Sequence, residues 1–157
     1  MLRARLVWND LRLAIDLLER ETDPNRFRVF LAASLALVRS VGSVLHKIDE
    51  ETTTLGPAIK SAYGQWKQDR KQHQIFWEFI KSERDRVLKE YEWNFDPQPV
   101  VVVLAGKTKK PVDVSTLSDN IYCPIAEGPF AGEDIRDVLA DAVEWWDTQL
   151  KLIENSP

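Results

Sequence analysis

Residues 24–51 read PNRFRVFLAASLALVRSVGSVLHKIDEE, and the reading of this stretch decides the fold. Between Val29 and Leu45 the only charge is Arg39, and apolar side chains such as Phe27, Phe30, Leu31, Leu35, Leu37, Val38, Val41 and Leu45 lie nearly all round the helix. A helix with so little polar surface belongs at the centre of a bundle. Its many Ala, Ser and Gly residues favour a buried helix over a membrane span. The same small residues, among them Ala32, Ala33, Ser40 and Gly42, let a neighbouring helix or a second subunit approach closely.

Working outward, Thr22-Asp23-Pro24 stops the preceding helix and supplies an N-cap and a proline at the first helical position. Before it, Leu6, Val7, Leu13, Ala14, Leu17 and Leu18 recur at helical spacing. After it, Thr52 to Pro57 predicts a turn, Ala58 to Trp66 a short helical segment, and Asp69 to Tyr91 a long helix with Phe76, Phe79, Ile80, Val87, Leu88 and Tyr91 inward. Asn94, Pro97 and Pro99 end it. Val100–Leu104 and Val112–Val114 predict a β-hairpin, and an irregular stretch with Pro124, Gly128, Pro129 and Gly132 follows. A last helix, with Glu133 and Asp134 at its start, turns Val138, Leu139, Ala142, Trp145, Trp146 and Ile153 inward. The expected fold is mainly all-α, an up-down bundle of four to five helices with a small β-hairpin and loop insertion before the last helix.

At 157 residues, 44% of them hydrophobic, the chain supports one domain, residues 1–157, with the insertion at about 97–131. One cysteine, Cys123, excludes a disulfide framework and a cysteine-rich zinc site, and fits a reducing cytoplasm. The basic N-terminus runs into Asn9, Asp10, Arg12 and Asp16 and so does not read as a signal peptide; no membrane association is expected. A net charge of −4 argues against a general nucleic-acid binder, and no DNA-specific motif appears. Charge is uneven, however. Lys60 to Tyr91 holds eight Lys or Arg against five Asp or Glu, whereas Leu117 to Pro157 holds two against nine, a contrast that suits either solvated helix faces or docking between subunits.

Within the basic stretch, Arg84-Asp85-Arg86-Val87-Leu88-Lys89-Glu90-Tyr91 resembles the motif of the HEPN superfamily of small helical proteins. That motif carries an Arg, then Asn or another polar residue, a His a few positions on, and often a Tyr two places later. Arg84 stands at the Arg, Asp85 at the Asn, Tyr91 at the trailing aromatic, and Lys89 where the His is usual. The resemblance implies a homodimer with the motif at its seam. In active members it implies metal-independent cleavage of RNA by attack of the 2′-hydroxyl on the adjacent phosphate. An imidazole exchanges protons near neutral pH, whereas an exposed ammonium, with a reference pKa of about 10.4, does not.

Helix geometry raises a second objection, because Arg84 and Lys89 are about 140° apart on a continuous helix. Glu83 falls near the centre of the inward stripe, where a carboxylate needs a partner such as Arg84. The expected function is therefore a non-catalytic interaction or regulatory module acting as a homodimer, which contacts RNA or a protein partner through Arg84, Asp85, Lys89, Tyr91 and Trp93. One alternative is a weak metal-independent endoribonuclease in which Arg84 orients the phosphate and Lys89 or Tyr91 assists. Another is a helical-bundle binding protein unrelated to HEPN.

No cofactor or metal site is expected. The two histidines, His46 and His73, are remote from each other in sequence, and His73 lies among polar residues that suggest solvent exposure. Gly106-Lys107-Thr108 resembles the end of a phosphate-binding loop, but Val101 stands where that loop requires glycine. Of six tryptophans, Trp77, Trp145 and Trp146 suit core positions. Trp66 and Trp93, near helix ends, suit an interface.

Overall fold

Asp23 places the start of the decisive helix, accepting hydrogen bonds from the backbone N–H groups of Asn25 and Arg26 at 3.0 and 2.9 Å, with Pro24 in the first helical position. In the computed structural model, which describes residues 1–87 and 123–156, 76% of those residues are helical and form five helices. Helix α1 is Arg3–Glu19. Helix α2 is Pro24–Val44 and continues through a π-helical turn, Leu45–Asp49, into Glu50–Thr52. Helix α3 is Gly56–Gln68, and α4 comprises a second π-helical turn, Ile75–Ile80, followed by Ser82–Asp85. Helix α5 is Ile135–Glu154. No strand occurs among the described residues, and the expected hairpin at Val100–Val114 lies outside them.

The π-helical turn in α2 has a structural consequence. In an α-helix each step of four residues overshoots a full turn by about 40°. A wider turn reduces that drift, so Val41, Leu45 and Asp49 all stay buried. Asp49, 1% exposed, then accepts from the backbone N–H groups of Arg3 and Ala4, both at 2.9 Å. It thus caps the start of α1, where Leu2 offers no side-chain oxygen.

Helix α5 closes the bundle against α1 and α2. Asp134 caps it by accepting from Arg136 N–H, and Trp146, fully buried, donates its indole N–H to the Val38 carbonyl at 2.9 Å. Gly42 makes this approach possible: a Cβ there would lie 2.9 Å from the Trp146 ring. The small residues of α2 therefore serve packing within the chain at this point. At the other side, Arg5 of α1 pairs with Asp147 and Glu154 at 2.6 and 2.7 Å, and Trp8 donates to the Val143 carbonyl at 3.0 Å.

Two expectations change at the level of faces. Helix α1 turns Leu11, Ile15 and Leu18 inward and leaves Leu6, Leu13 and Leu17 exposed at 49, 60 and 47%. Helix α2 is long and apolar enough to cross a membrane by length and composition, with a mean hydropathy of 1.6 in its most apolar window, of which 33% is buried. It is therefore less enclosed than its sequence suggests. The long helix expected from Asp69 to Tyr91 is also interrupted at its start, because residues 70–73 form turns and the helix begins only after them.

Candidate functional site

Helix α4 carries the beginning of the motif. Phe79, Ile80, Glu83 and Val87 are buried on its inner side, with Glu83 only 5% exposed, as its place in the inward stripe predicts. Arg84 and Asp85 belong to the helical segment Ser82–Asp85. Lys89, Tyr91 and Trp93 lie outside the described residues.

The segment just before α5 packs along one side of this helix. Residues 123–134 fold back on themselves: Ile125 N–H bonds to the Glu133 carbonyl at 2.9 Å, Gly132 N–H to the Ile125 carbonyl at 2.8 Å, and Pro124 makes an antiparallel bridge with Asp134. Gly128 and Gly132 have φ of 94° and 88°, left-handed values that favour glycine and let the segment turn so tightly. From it, Phe130 packs edge-on against Phe79 with ring centroids 6.0 Å apart, Ile125 is buried, and Glu127 meets the Arg86 guanidinium at 3.4 Å. The described end of the insertion thus lies along the motif helix.

The fixed point of that segment is Asp134. Its carboxylate takes Arg136 through the guanidinium at 2.9 Å and accepts from Cys123 N–H at 3.2 Å. Burial pushes the Asp134 carboxyl up, but the hydrogen bonds from Arg136 and Cys123 outweigh it and hold the group below its usual range.

A concavity that sequence reasoning missed lies between the end of α2, α3 and α4. It has an aromatic wall. Tyr63, Trp66, Phe76 and Trp77 line it, with Trp66 and Phe76 centroids 5.3 Å apart and Tyr63 set edge-on to both. Hydrogen bonds fix the rings. Trp66 donates to Gln149 Oε1 at 2.7 Å, and Trp77 donates to the Trp66 carbonyl at 2.9 Å, which pins α4 to the end of α3 across the turn. Trp66, 3% exposed, is a core residue rather than the interface residue its place near a helix end suggests.

The rim of this cavity is cationic. Arg39, His46, Lys47 and Lys81 line it, and among the described residues no carboxylate does. His46 stacks on Tyr63 at 5.4 Å and its Nδ1 closely approaches the carboxylate of Glu50, which also meets Lys60 at 3.6 Å. Lys67 stands over Tyr63 at 4.6 Å, and Arg70 and Lys81 over Trp77 at 4.5 and 5.4 Å. Both π-helical turns contribute lining residues, Leu45, His46 and Lys47 from the first, Phe76 and Trp77 from the second. Such turns widen a helix locally and re-aim its side chains.

His73 packs beside this aromatic cluster instead of standing in solvent. Its ring lies 5.8 Å from Trp145, whose indole N–H donates to His73 Nδ1 at 3.2 Å. Burial pulls the imidazole below its ordinary range, against the nearby charge of Asp69. Among the described residues, no three His, Cys, Asp or Glu side chains are grouped to hold a metal ion. Comparison of the chain with protein-family models, with curated proteins and with solved structures finds no match in any of the three.

Proposed function

We propose that this chain is a non-catalytic, HEPN-like helical interaction module that works as a homodimer and contacts RNA or a protein partner. One observation carries the reading: the segment before α5 packs along one side of the motif helix. Phe130 and Ile125 lie along it, Glu127 pairs with Arg86, and Val87 is buried in the bundle, so Arg86 and Val87 of the motif serve contacts within the chain. A ribonuclease site would also need a proton acceptor beside the phosphate, and Lys89 stands where the motif usually has His.

The apolar stripe on α1 supports the dimer. Leu6, Leu13 and Leu17, at i, i+7 and i+11, share one face and are about half exposed or more. A second copy would remove that face from water, at roughly 25 cal/mol for each Å² of apolar surface buried. The exposed stripe favours a seam on α1, in place of the motif helix that the resemblance implies and the small-residue face of α2.

Sedimentation velocity at micromolar concentration is expected to give a dimer, and Leu13→Glu a monomer with unchanged helical circular dichroism. A wild-type chain that sediments as a monomer would remove the seam on which the reading depends.

A further inference from the structure

We propose that the cavity between α2, α3 and α4 binds a small single-ring aromatic carboxylate, its ring against Tyr63 and Trp77 and its carboxylate at the Arg39, Lys47 and Lys81 rim. This site shares no lining residue with the groove that Phe79, Glu83, Arg86, Ile125 and Phe130 line between the motif helix and the segment before α5, and does not depend on the HEPN-like reading.

Three features select that chemistry. The first is size: the cavity encloses about 130 Å³. An apolar cavity of roughly 150 Å³ holds benzene, whereas drug-sized ligands occupy pockets from roughly 300 Å³ upward. One ring fits, and a nucleotide does not. The second is the wall, where the rings of Tyr63, Trp66, Phe76 and Trp77 are held at fixed angles by mutual packing and by the hydrogen bonds of Trp66 and Trp77. A rigid aromatic wall takes a planar ring without paying to order its own side chains.

The third is charge. Arg39, Lys47 and Lys81 have no carboxylate within ion-pair distance among the described residues, and His46 already engages Glu50. Cations gathered at one mouth repel each other, and an anion placed among them relieves that repulsion and gains charge-assisted hydrogen bonds. Arg39 Nη1 also lies 3.4 Å from the point where a Gly42 Cβ would be, so this glycine keeps room for the guanidinium beside the Trp146 ring. A neutral ring would use the wall alone, and an anion without a ring only the rim.

The test uses the whole chain and follows the indole N–H resonances of Trp66 and Trp77 by NMR during titration with benzoate, benzamide or acetate. Benzoate is expected to shift both resonances saturably, and benzamide and acetate to bind at least about tenfold more weakly. Lys81→Gln and Lys47→Gln, both at exposed positions, are expected to weaken benzoate by about tenfold each and to change the weak binding of benzamide by less than about threefold, with the helical circular dichroism retained. Absence of a saturable benzoate shift, equal binding by benzamide or acetate, or benzoate affinity unaffected by both lysine variants would each overturn the proposal. None of these outcomes bears on the motif helix or the dimer.

Discussion

His73 follows Arg70, Lys71 and Gln72 and precedes Gln74, a setting that reads as solvent, yet its Nδ1 accepts the Trp145 indole N–H. The partner comes from a residue far along the chain, so no local pattern announces it. Acceptance at Nδ1 requires the neutral imidazole with its proton on Nε2. Because burial lowers the folded-state pKa, the unfolded chain binds this proton more readily. The contribution of His73 to stability is thus complete above its ordinary value of about 6.5 and is lost as pH falls through the lower folded value. Thermal midpoints measured from pH 7.5 to 5 are expected to fall less for His73→Gln, which keeps an acceptor without titrating, than for the wild-type chain. Equal decline in the two would show that the Trp145 contact does not depend on the charge of His73.

Glu83 is the opposite case at the same scale. Its place in the stripe of Phe76, Phe79, Ile80 and Val87 was enough to predict burial, because helical periodicity depends only on local spacing. The aromatic cavity also left a trace. Tyr63 with Lys67 and Trp77 with Lys81 are aromatic and cationic residues four apart, the spacing at which side chains on one helix face meet. That signal identifies two decorated helices. It does not reveal that the turn at residues 70–73 brings them together.

At the scale of elements, α2 and α5 were legible because each has its own signals: Asp23-Pro24 before α2, Asp134 at the head of α5, and a regular inner stripe on the latter. The break between α3 and α4 was not. Residues 69–74 contain neither Gly nor Pro, and the contacts that hold the turn, Trp77 to the Trp66 carbonyl and His73 to Trp145, are tertiary. The inner face of α1 was hidden for another reason: leucines occur on both of its sides, so periodicity alone does not choose between Leu11, Ile15 and Leu18 and the exposed set.

The start of α1 likewise depends on a distant element, the π-helical turn of α2 that presents Asp49. Asp49→Asn leaves one oxygen for two backbone donors and turns an amide N–H₂ towards one of them. It is expected to lower stability by about 1–3 kcal/mol, read from urea unfolding. An unchanged midpoint would show that α1 does not need this cap.

For the whole molecule, the mainly helical architecture follows from patterns that each element carries in its own sequence. The relation between elements does not, and the functional reading turns on that relation. Residues 123–134 look like an irregular connection in sequence. In the fold they are tied to α5 through Asp134, Arg136 and Cys123, and they lie on the motif helix through Phe130 and Glu127. Arg84 and Asp85 belong to that helix, and in the proposed HEPN-like reading Lys89 stands where a proton-transfer group is usual, a role for which it is poorly suited.

The most direct test incubates the purified chain with single-stranded RNA in the presence of a divalent-metal chelator, beside Arg84→Ala. The account predicts no cleavage above buffer for either protein. Cleavage by the wild-type chain that Arg84→Ala abolishes, with the two proteins unfolding at the same temperature, would contradict it.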